Sequence, residues 1–403
     1  MQEIGEADQL PYTELRVNQA QEGTMGAVRE REYSTEKKLY VALELGQTTW
    51  KLGFGTALGR PARRRTVAAR DVVALQKEIH RAKEKLGLAY AASVYSCYEA
   101  GLDAFWIHRY LVAHDVKNVV VDSASIEVNR RSKQTKTDRL DVEKLLRMLI
   151  RYHNGEPEVW HVVHVPSVAA EDGRHLHRQL CTFRHDRNRH TNRIWGLLAT
   201  QGVRLKPDKD FLEGVKQARC WDGQPLPPGL RRRVEREYAQ LRAVKAQIAE
   251  LKRQRKHQIA TRQSREVEMV RQLMLVRGIG VNGAWLLVME FFGWRDFRNR
   301  RELGALAGLT PTPYQSGSSY REQGISKAGN RWVRAMMVEL AWCWLRYQPE
   351  SGLAQWYRQN YDQAGRRERK TGIVAVARKL LIALWRYLET GALPPNAVLK
   401  PGV

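Results

Sequence analysis

The sequence predicts an α/β fold in the first half of the chain, followed by an all-α part that includes a long coiled-coil-like helix. In "KKLYVALELGQTTWKLGFG", Val41, Leu43 and Leu45 alternate with smaller or polar neighbours, which is typical of strands. From Leu230 onward, apolar residues recur at steps of three, four and seven among dense charge, which indicates an amphipathic helix reaching past residue 260. The region from about 268 to 390 has helical patterns with Gly-rich loops. A chain of 403 residues is long enough for two or three domains with their own cores.

The α/β part can be followed element by element. The turn at Gly46 and Gln47 separates two extended segments, so a hairpin comes first. After a basic run, "DVVALQKEIHRAKEKLG" has helical spacing and ends at a glycine. "AYAASVYSCYEAG" then predicts a strand, "GLDAFWIHRYLVAHD" a helix and "VKNVVVDSA" a buried strand. The order hairpin, strand, helix, strand, helix, strand, helix predicts a mixed sheet layered with helices.

Composition shifts suggest where the domains begin and end. "KPDKDFLEG" and "GQPLPPG" interrupt the chain near 206 to 229 and mark a boundary. We therefore expect a flexible arm over 1–36, the α/β domain with a basic helical extension over 37–205, a linker and coiled-coil helix over 206–267, a helical domain over 268–390 and a tail over 391–403. The long helix either packs within its own chain or forms a dimerising coil, and its pattern fits both.

The charge balance points to a phosphate-bearing partner. Lys and Arg number 68 against 43 Asp and Glu, giving a formal net charge of +25 and a pI near 10.1. Neutralised phosphates release counterions, so DNA or RNA is the leading partner, ahead of a merely solvated surface or a ribosome-associated protein. Four scattered cysteines give no disulfide or zinc pattern, and the His-rich stretch (His175, His177, His185, His190) lacks a completing acid or cysteine.

Four acids stand out within this basic chain. Asp138 and Asp141 open a helix in "KTDRLDVEKLL", and a spacing of three places them on one helix face, although acids in a first turn are also ordinary. Glu44 is embedded in an apolar strand, where a charge is costly unless it is paired or metal-bound. Glu99 ends another strand, at the position where α/β folds place ligands. Together the four carboxylates could hold two Mg²⁺ ions, with Mn²⁺ as a substitute.

These motifs resemble a known family. "ELGQTTWKLGF", "YEAG" and "KTDRLDVEKLL" are similar to the DEDD motifs of insertion-sequence transposases with a RuvC-like domain, the group called IS one-ten with its eleven-eleven branch. The resemblance extends from about residue 38 to 390. It implies a RuvC/RNase H-like N-terminal domain, with Glu44, Glu99, Asp138 and Asp141 as metal-binding catalytic acids. Many relatives carry Asp where this chain has Glu44.

A second motif of the group falls in "GLTPTPYQSGSSYREQGISKAGN". From the residues alone its Ser-Gly-Ser-Ser segment, residues 316–319, is a flexible turn, in which Ser316, Ser318 and Ser319 are equal candidates for a nucleophile. The resemblance selects Ser316, which precedes a glycine. "VRGIGVNGA" resembles a helix-hairpin-helix turn, whose Gly278 and Gly280 would let backbone N–H groups approach a phosphate.

The resemblance implies a DNA transposase or recombinase that forms a covalent phosphoserine, is guided by a structured noncoding RNA, and acts on donor ends and a target as a dimer or tetramer. We expect a bacterial cytoplasmic, nucleoid-associated protein, since no secretion signal or run of about 18 apolar residues indicates export or a membrane. The side chains expected to contact nucleic acid are Lys136, Arg139, Arg174, Arg178, Arg184, Arg187, Arg189, Arg193, Arg321 and Lys327.

Two other functions fit part of the sequence. A hydrolytic RuvC-like nuclease, such as a junction resolvase, would use the same four acids with water as the nucleophile. It leaves the long helix and the Ser316 motif without a role. A non-catalytic RNA-binding scaffold would make the acids ordinary helix and strand-end residues. A phosphoserine adduct on cleaved DNA would distinguish the transposase from both.

Overall fold

The structure, a computed structural model, describes residues 37–101, 105–126, 138–316 and 319–401. Within these ranges the side chains of residues 124, 138–140, 313–316 and 319–323 are not described. The predicted arm over 1–36 lies outside the described residues, as does Lys136.

A five-stranded mixed sheet forms the centre of the α/β part, with strand order β3-β2-β1-β4-β5. β1, β2 and β3 are antiparallel neighbours, whereas β1, β4 and β5 run parallel. The hairpin and the order of elements predicted from the sequence are confirmed. The strands are β1 Leu39–Leu45, β2 Thr49–Gly55, β3 Arg63–Ala68, β4 Val94–Glu99 and β5 Val116–Val121.

Helices cover both faces of this sheet. On one face, α1 (Val72–Lys85) and α2 (Trp106–Ala113) pack against a core that includes Leu43 and Trp50. On the other face, α3 (Asp138–His153) packs against a second core that includes Ala42 and Cys97. A short 3-10 turn follows β5 at Ser123–Ser125, and another follows α3 at Pro157–Val159. The centre of the sheet is therefore buried on both sides, which explains the nearly continuous apolar run of β1, whereas the edge strand β3 is basic and mostly exposed.

A helical hairpin extends from the α/β part. Its arms are α5 (His175–Ala199) and α7 (Pro228–Thr261). The end of α5 packs against the start of α7, and the start of α5 packs against the end of α7, so the two are antiparallel. Of the two alternatives for the long helix, packing within its own chain is what the structure shows. The shorter helices beside the hairpin are α4 Val168–Gly173 and α6 Phe211–Gln217.

The C-terminal part is built around one large apolar core, in which Trp285, Trp344 and Leu380 are almost fully buried. The prediction of a Gly-rich loop around Ser316 is wrong in one respect, because the chain forms a two-stranded hairpin there. None of the described helices is both long and apolar enough to cross a membrane. The elements are α8 Arg265–Leu275, α9 Val281–Leu287, a π-helical turn Val288–Phe292, α10 Arg300–Leu306, β6 Pro311–Ser316, β7 Ser319–Ile325, α11 Arg331–Tyr347, α12 Gly352–Tyr361 and α13 Arg366–Thr390.

Candidate active site

Glu44 and Glu99 lie at the same edge of the sheet. β1 and β4 are parallel neighbours, and their register pairs Leu43 with Tyr98. Each glutamate follows that pair by one residue, so the two stand side by side on strands about 4.8 Å apart. Glu44 is half-buried and Glu99 is exposed. The structure therefore brings together the two strand-end acids that the sequence singled out.

Both glutamates belong to the face of the sheet that α3 covers. Ala42 and Cys97 contribute to the core beneath α3, whereas Leu43 contributes to the core on the opposite face. Successive side chains of a strand point to opposite faces, so Glu44 shares a face with Ala42 and Glu99 shares one with Cys97.

The N-terminal end of α3 approaches this same edge. A Cβ built on Gly53 would lie 2.5 Å from Cγ1 of Val142, and one built on Gly55 would lie 3.2 Å from Cδ2 of Leu146. Gly53 is nearer than Gly55 to the edge where β2 begins and β1 ends. Going along α3 from Leu146 back to Asp141, the helix therefore approaches the sheet edge that carries the two glutamates. The two glycines allow α3 to lie close enough for this approach.

Of the four predicted acids, Glu44, Glu99 and the half-buried Asp141 have described side chains at this edge. Asp138 is the first residue of α3, one helical turn nearer the edge, and its side chain is not described. Carboxylate oxygens are the ligands that Mg²⁺ and Mn²⁺ prefer, so the chemistry of the donors fits the predicted cations. Among the described side chains, no three His, Cys, Asp or Glu groups are close enough to hold one metal ion. The fold gathers the acids without preforming a three-ligand cage among them.

Two further residues at this edge were missed by the sequence analysis. Asp122 follows β5, whose register pairs Val121 with Glu99, so it lies at the same edge one strand further out. The signal was available, because Asp122 follows a buried strand just as an acid ends β4. Lys51 lies directly opposite Glu44 on β2 and shares the face of Gly53. A cation next to the acids is suited to receive a phosphate.

Ser316 lies at the tip of the C-terminal hairpin. It is the last residue of β6 and pairs across the hairpin with Ser319, the first residue of β7. Gly317 and Ser318 lie outside the described residues. The described hairpin has no extensive packing contact with the α/β sheet or with α3. Ser316 therefore lies at the end of a strand that makes no extensive packing contact with the edge that carries the carboxylates.

Backbone hydrogen bonds close the base of this hairpin. The amide of Ser326 donates to the carbonyl of Thr310 at 2.9 Å, and the amide of Lys327 donates to the carbonyl of Gly308 at 3.3 Å. Gly329 has φ +118°, and a Cβ there would collide with the Leu306 carbonyl oxygen. The left-handed backbone and the close carbonyl both require glycine. The base of the hairpin is thus a tightly fitted segment.

The predicted basic contacts fall into two groups. Arg174 is buried, with its guanidinium 5.2 Å from the ring centre of Trp294, and Arg178 is paired with Glu290. Both therefore have structural partners inside the protein. Burial lowers the pKa of Arg174, and the nearby Arg178 adds to this effect. The side chains of Arg139 and Arg321 are not described.

The second group lies along α5 and at the hairpin base. Arg187, Arg189 and Arg193 are exposed, and so is Lys327. Arg184 is half-buried and bonds to Asn282 Oδ1 at 3.3 Å. Two of the histidines considered for zinc contact acids instead: His177 lies beside Glu290, and His190 beside Glu237. The exposed arginines form a cationic surface suited to nucleic acid backbones.

The turn with Gly278 and Gly280 joins α8 to α9, as a helix-hairpin-helix turn would. Gly278 has φ +92°, and a Cβ built on Gly280 would have no heavy atom within 4 Å beyond its immediate chain neighbours. Two carbonyl oxygens of the turn accept hydrogen bonds from other side chains of the protein. Gln348 Nε2 donates to the carbonyl of Arg277 at 2.8 Å, and Lys400 Nζ donates to the carbonyl of Ile279 at 2.9 Å. The turn is therefore held firmly against α11 and the C-terminal segment.

Comparison with known proteins places this architecture in a family. The family described as "Transposase IS116/IS110/IS902 family" matches residues 270–356, a segment that contains the serine hairpin. The chain is 38% identical over 377 residues to the putative transposase y4rJ of Sinorhizobium fredii, covering 90% of this chain and 94% of that protein. It is 27% identical over 218 residues to the transposase for insertion sequence element IS1328 of Yersinia enterocolitica, covering 54% of this chain and 62% of that one. The chain therefore belongs to the IS116/IS110/IS902 family of insertion-sequence transposases.

Proposed function

We propose that this transposase is guided by a structured RNA and that it cleaves and rejoins DNA through a covalent phosphoserine at Ser316. The observation that carries the proposal is the meeting of Glu44, Glu99 and the start of α3 at one edge of a mixed sheet, the arrangement expected of a RuvC-like domain. A second motif, the hairpin with Ser316 at its tip, lies in the segment that matches the transposase family.

The carboxylates would hold the metal. Glu44, Glu99, Asp138 and Asp141 are the ligands we assign to one or two Mg²⁺ ions, for which Mn²⁺ could substitute. A bound divalent cation supplies Lewis-acid polarisation of the phosphodiester and neutralises charge on the leaving oxygen. Lys51, opposite Glu44, would hold a non-bridging phosphate oxygen.

Ser316 would provide the nucleophile. Its Oγ forms a bond to phosphorus, the bond from phosphorus to the 3′ oxygen breaks, and the 3′ oxygen leaves as a hydroxyl by taking up a proton. The proton of the serine passes to a carboxylate of the edge, since a hydroxyl is a weak nucleophile without a base. The phosphoserine is itself a phosphodiester, so a 3′ hydroxyl can later attack it, release Ser316 and rejoin the strands without an external energy source.

The partners follow from charge and from the family. A net charge of +25, with exposed arginines along α5, suits a long phosphate backbone. Base pairing by the guide RNA would choose the donor and target sequences, leaving the protein to read backbone shape. Recombination handles four strands, and the described hairpin makes no extensive contact with the sheet, so we infer a dimer or tetramer that brings serine and carboxylates together.

The decisive experiment traps the adduct. Protein purified with its bound RNA is incubated in Mg²⁺ with DNA that carries the ends of its element, and the products are tested for a 5′-phosphoserine linkage. Ser316→Ala is expected to abolish the adduct, whereas the matched Ser319→Ala, across the hairpin, retains it. EDTA is expected to abolish it in both active proteins.

Other outcomes would overturn the proposal in identifiable ways. Cleavage by Ser316→Ala that leaves ends without attached protein would favour the hydrolytic nuclease. RNA binding without any metal-dependent cleavage by the wild-type protein would favour the scaffold. Sequencing the copurified RNA tests the guide separately, because a guide must contain stretches complementary to both donor and target.

A further inference from the structure

Glu290 is a buried carboxylate that the serine chemistry does not use directly. It lies in the π-helical turn Val288–Phe292 and is 0% exposed. π-helical turns are rare and are frequently found at functional sites. A carboxylate in such a place destabilises the fold unless donors surround it.

Three side chains from two distant segments surround this carboxylate. Arg178 forms two parallel hydrogen bonds with it, from Nε to Oε1 at 2.6 Å and from Nη2 to Oε2 at 2.9 Å. Nε2 of His177 lies 2.9 Å from Oε1, although the two atoms are not aligned for a hydrogen bond. Asn330 Nδ2 donates to Oε2 at 3.0 Å. Burial alone would raise the pKa of Glu290, but His177 and Arg178 outweigh it and lower the pKa to about 2.

Asn330 connects this site to the base of the serine hairpin. Its backbone amide donates to the carbonyl of Leu306 at 2.8 Å, beside the residues that close the hairpin. Its side-chain Oδ1 accepts from the amides of Trp332 and Val333, which begin α11. One asparagine thus uses its amide nitrogen for Glu290 and its amide oxygen for the helix. The orientation of the hairpin base is tied to Glu290 through it.

On the other side, Glu290 is tied to the α/β part. His177 and Arg178 lie near the start of α5, which follows directly on α4. α4 is joined to α2 by an ion pair between Arg109 Nη2 and Glu171 Oε2 at 2.7 Å. A continuous series of contacts therefore leads from the sheet through α2, α4 and α5 to Glu290, and from there to the hairpin.

The length of the hairpin makes this connection mechanically important. From Pro311 to Ser316, β6 spans about 17 Å at about 3.4 Å per residue. A tilt of about 10° at the base would therefore move the tip by about 3 Å, while a misplacement of about 1 Å can cost a reaction about a hundredfold. A two-stranded hairpin does not hold its own direction well, because it lacks a packed face.

We propose that Glu290 is a positioning residue, which uses Arg178 and Asn330 to fix the direction in which the serine hairpin leaves the helical domain. The inference rests on the proposed role of Ser316. It assigns no contact with DNA to Glu290. Its effect is on where the hairpin tip lies when substrate is bound.

The test starts from a variant that changes one contact of Glu290. Asn330→Asp retains the oxygen that begins α11 but removes the donor to Glu290 and places two carboxylates together. Combining it with Glu290→Gln restores a complementary pair, because the new amide can donate to the new carboxylate. Ser351→Ala is the matched control, since Ser351 is a fully buried side chain that bonds to Trp344 Nε1 at 2.8 Å in the same domain.

For each full-length protein with its RNA, three quantities are measured: the thermal midpoint, the affinity for substrate DNA, and the single-turnover rate of adduct formation under saturating DNA. We expect Asn330→Asp to slow the adduct rate by about tenfold or more with DNA affinity unchanged. The double variant should recover part of that loss, because the new pair forms while one of the two hydrogen bonds from Arg178 is missing. Ser351→Ala should lower the thermal midpoint while its adduct rate stays near that of wild type at a temperature where all variants are folded.

The inference is overturned if Asn330→Asp forms the adduct at the wild-type rate, or if its loss merely follows its thermal midpoint, as in Ser351→Ala. Either result leaves the proposed function intact, provided that the wild-type adduct still depends on Ser316. Absence of a Ser316-dependent adduct in the wild-type protein would instead reject the proposed function itself. The two failures are therefore distinguishable in one set of measurements.

Discussion

Two glutamates in this molecule show how differently the same side chain can be used. Glu99 ends β4, is exposed, and has no ion-pair or hydrogen-bond partner for its carboxylate among the described residues. Glu290 is fully buried and contacts three side chains, from α5 and from the segment before α11. The fold needs Glu290 in order to pack, whereas it places Glu99 at the sheet edge without depending on it.

The difference separates acids for chemistry from acids for architecture. A catalytic carboxylate must remain available to a metal or a proton, so it cannot be saturated by internal donors. A structural carboxylate must be saturated, because burial makes each missing donor costly. Substitutions of the two glutamates should therefore affect opposite properties, and this can be measured.

The largest effect is expected at Glu99. Glu99→Gln removes one anionic ligand and should reduce DNA cleavage by at least about a hundredfold, since metal-assisted charge stabilisation contributes several kcal/mol. Its thermal midpoint should match that of wild type, because no described partner is lost. Cleavage is measured by denaturing gel in Mg²⁺ and in Mn²⁺. Glu84→Gln, on the exposed surface of α1, is a control expected to leave cleavage unchanged. Normal cleavage by Glu99→Gln would remove this glutamate from the site.

Much of the fold could be predicted because its signals are local. The hairpin of β1 and β2, the alternation of strands and helices, and the long α7 are each visible in the period of the apolar residues. Glu44 and Glu99 could be singled out because an acid within or directly after a buried strand is unusual. Parallel pairing then places strand ends at one edge, so their proximity also follows from the pattern.

The remaining features depend on partners that the sequence does not reveal. Glu290 stands between Met289 and Phe291 in an apolar run, the same signal that singled out Glu44, but its partner Arg178 is 112 residues away. The apolar spacing along α7 is compatible with packing against a second chain as well as against α5, so the sequence alone does not identify the partner helix. A loop was predicted around Ser316, yet the chain forms a two-stranded hairpin there, and its two edge strands tolerate the prolines at 311 and 313.

A smaller effect, on stability, is expected at Glu290. Because the pKa of its carboxyl is lowered from 4.5 to about 2, the charged form stabilises the fold by about 3 kcal/mol. This stability is fully present above about pH 4.5 and is lost as the pH falls through about 2. Glu290→Gln should therefore unfold several degrees below wild type at pH 7, and the two midpoints should converge as the pH approaches 2. Circular dichroism melts at several pH values check this, and a constant difference between the proteins would contradict it.

The smallest effects are expected from two arginines on α5. Arg187 is exposed and its side chain bonds only to the neighbouring Asn188 among the described residues, whereas Arg178 is held by Glu290. Arg187→Gln should leave the thermal midpoint unchanged but reduce the salt dependence of RNA binding by about one phosphate contact, a change of about 0.7 to 0.9 in the slope of log K against log salt. Arg178→Gln should do the reverse, lowering the midpoint and leaving the slope unchanged. Equal slope changes in both would show that Arg178 also reaches a phosphate, as its sequence position predicts, and would mean that pairing with Glu290 does not exclude contact with nucleic acid.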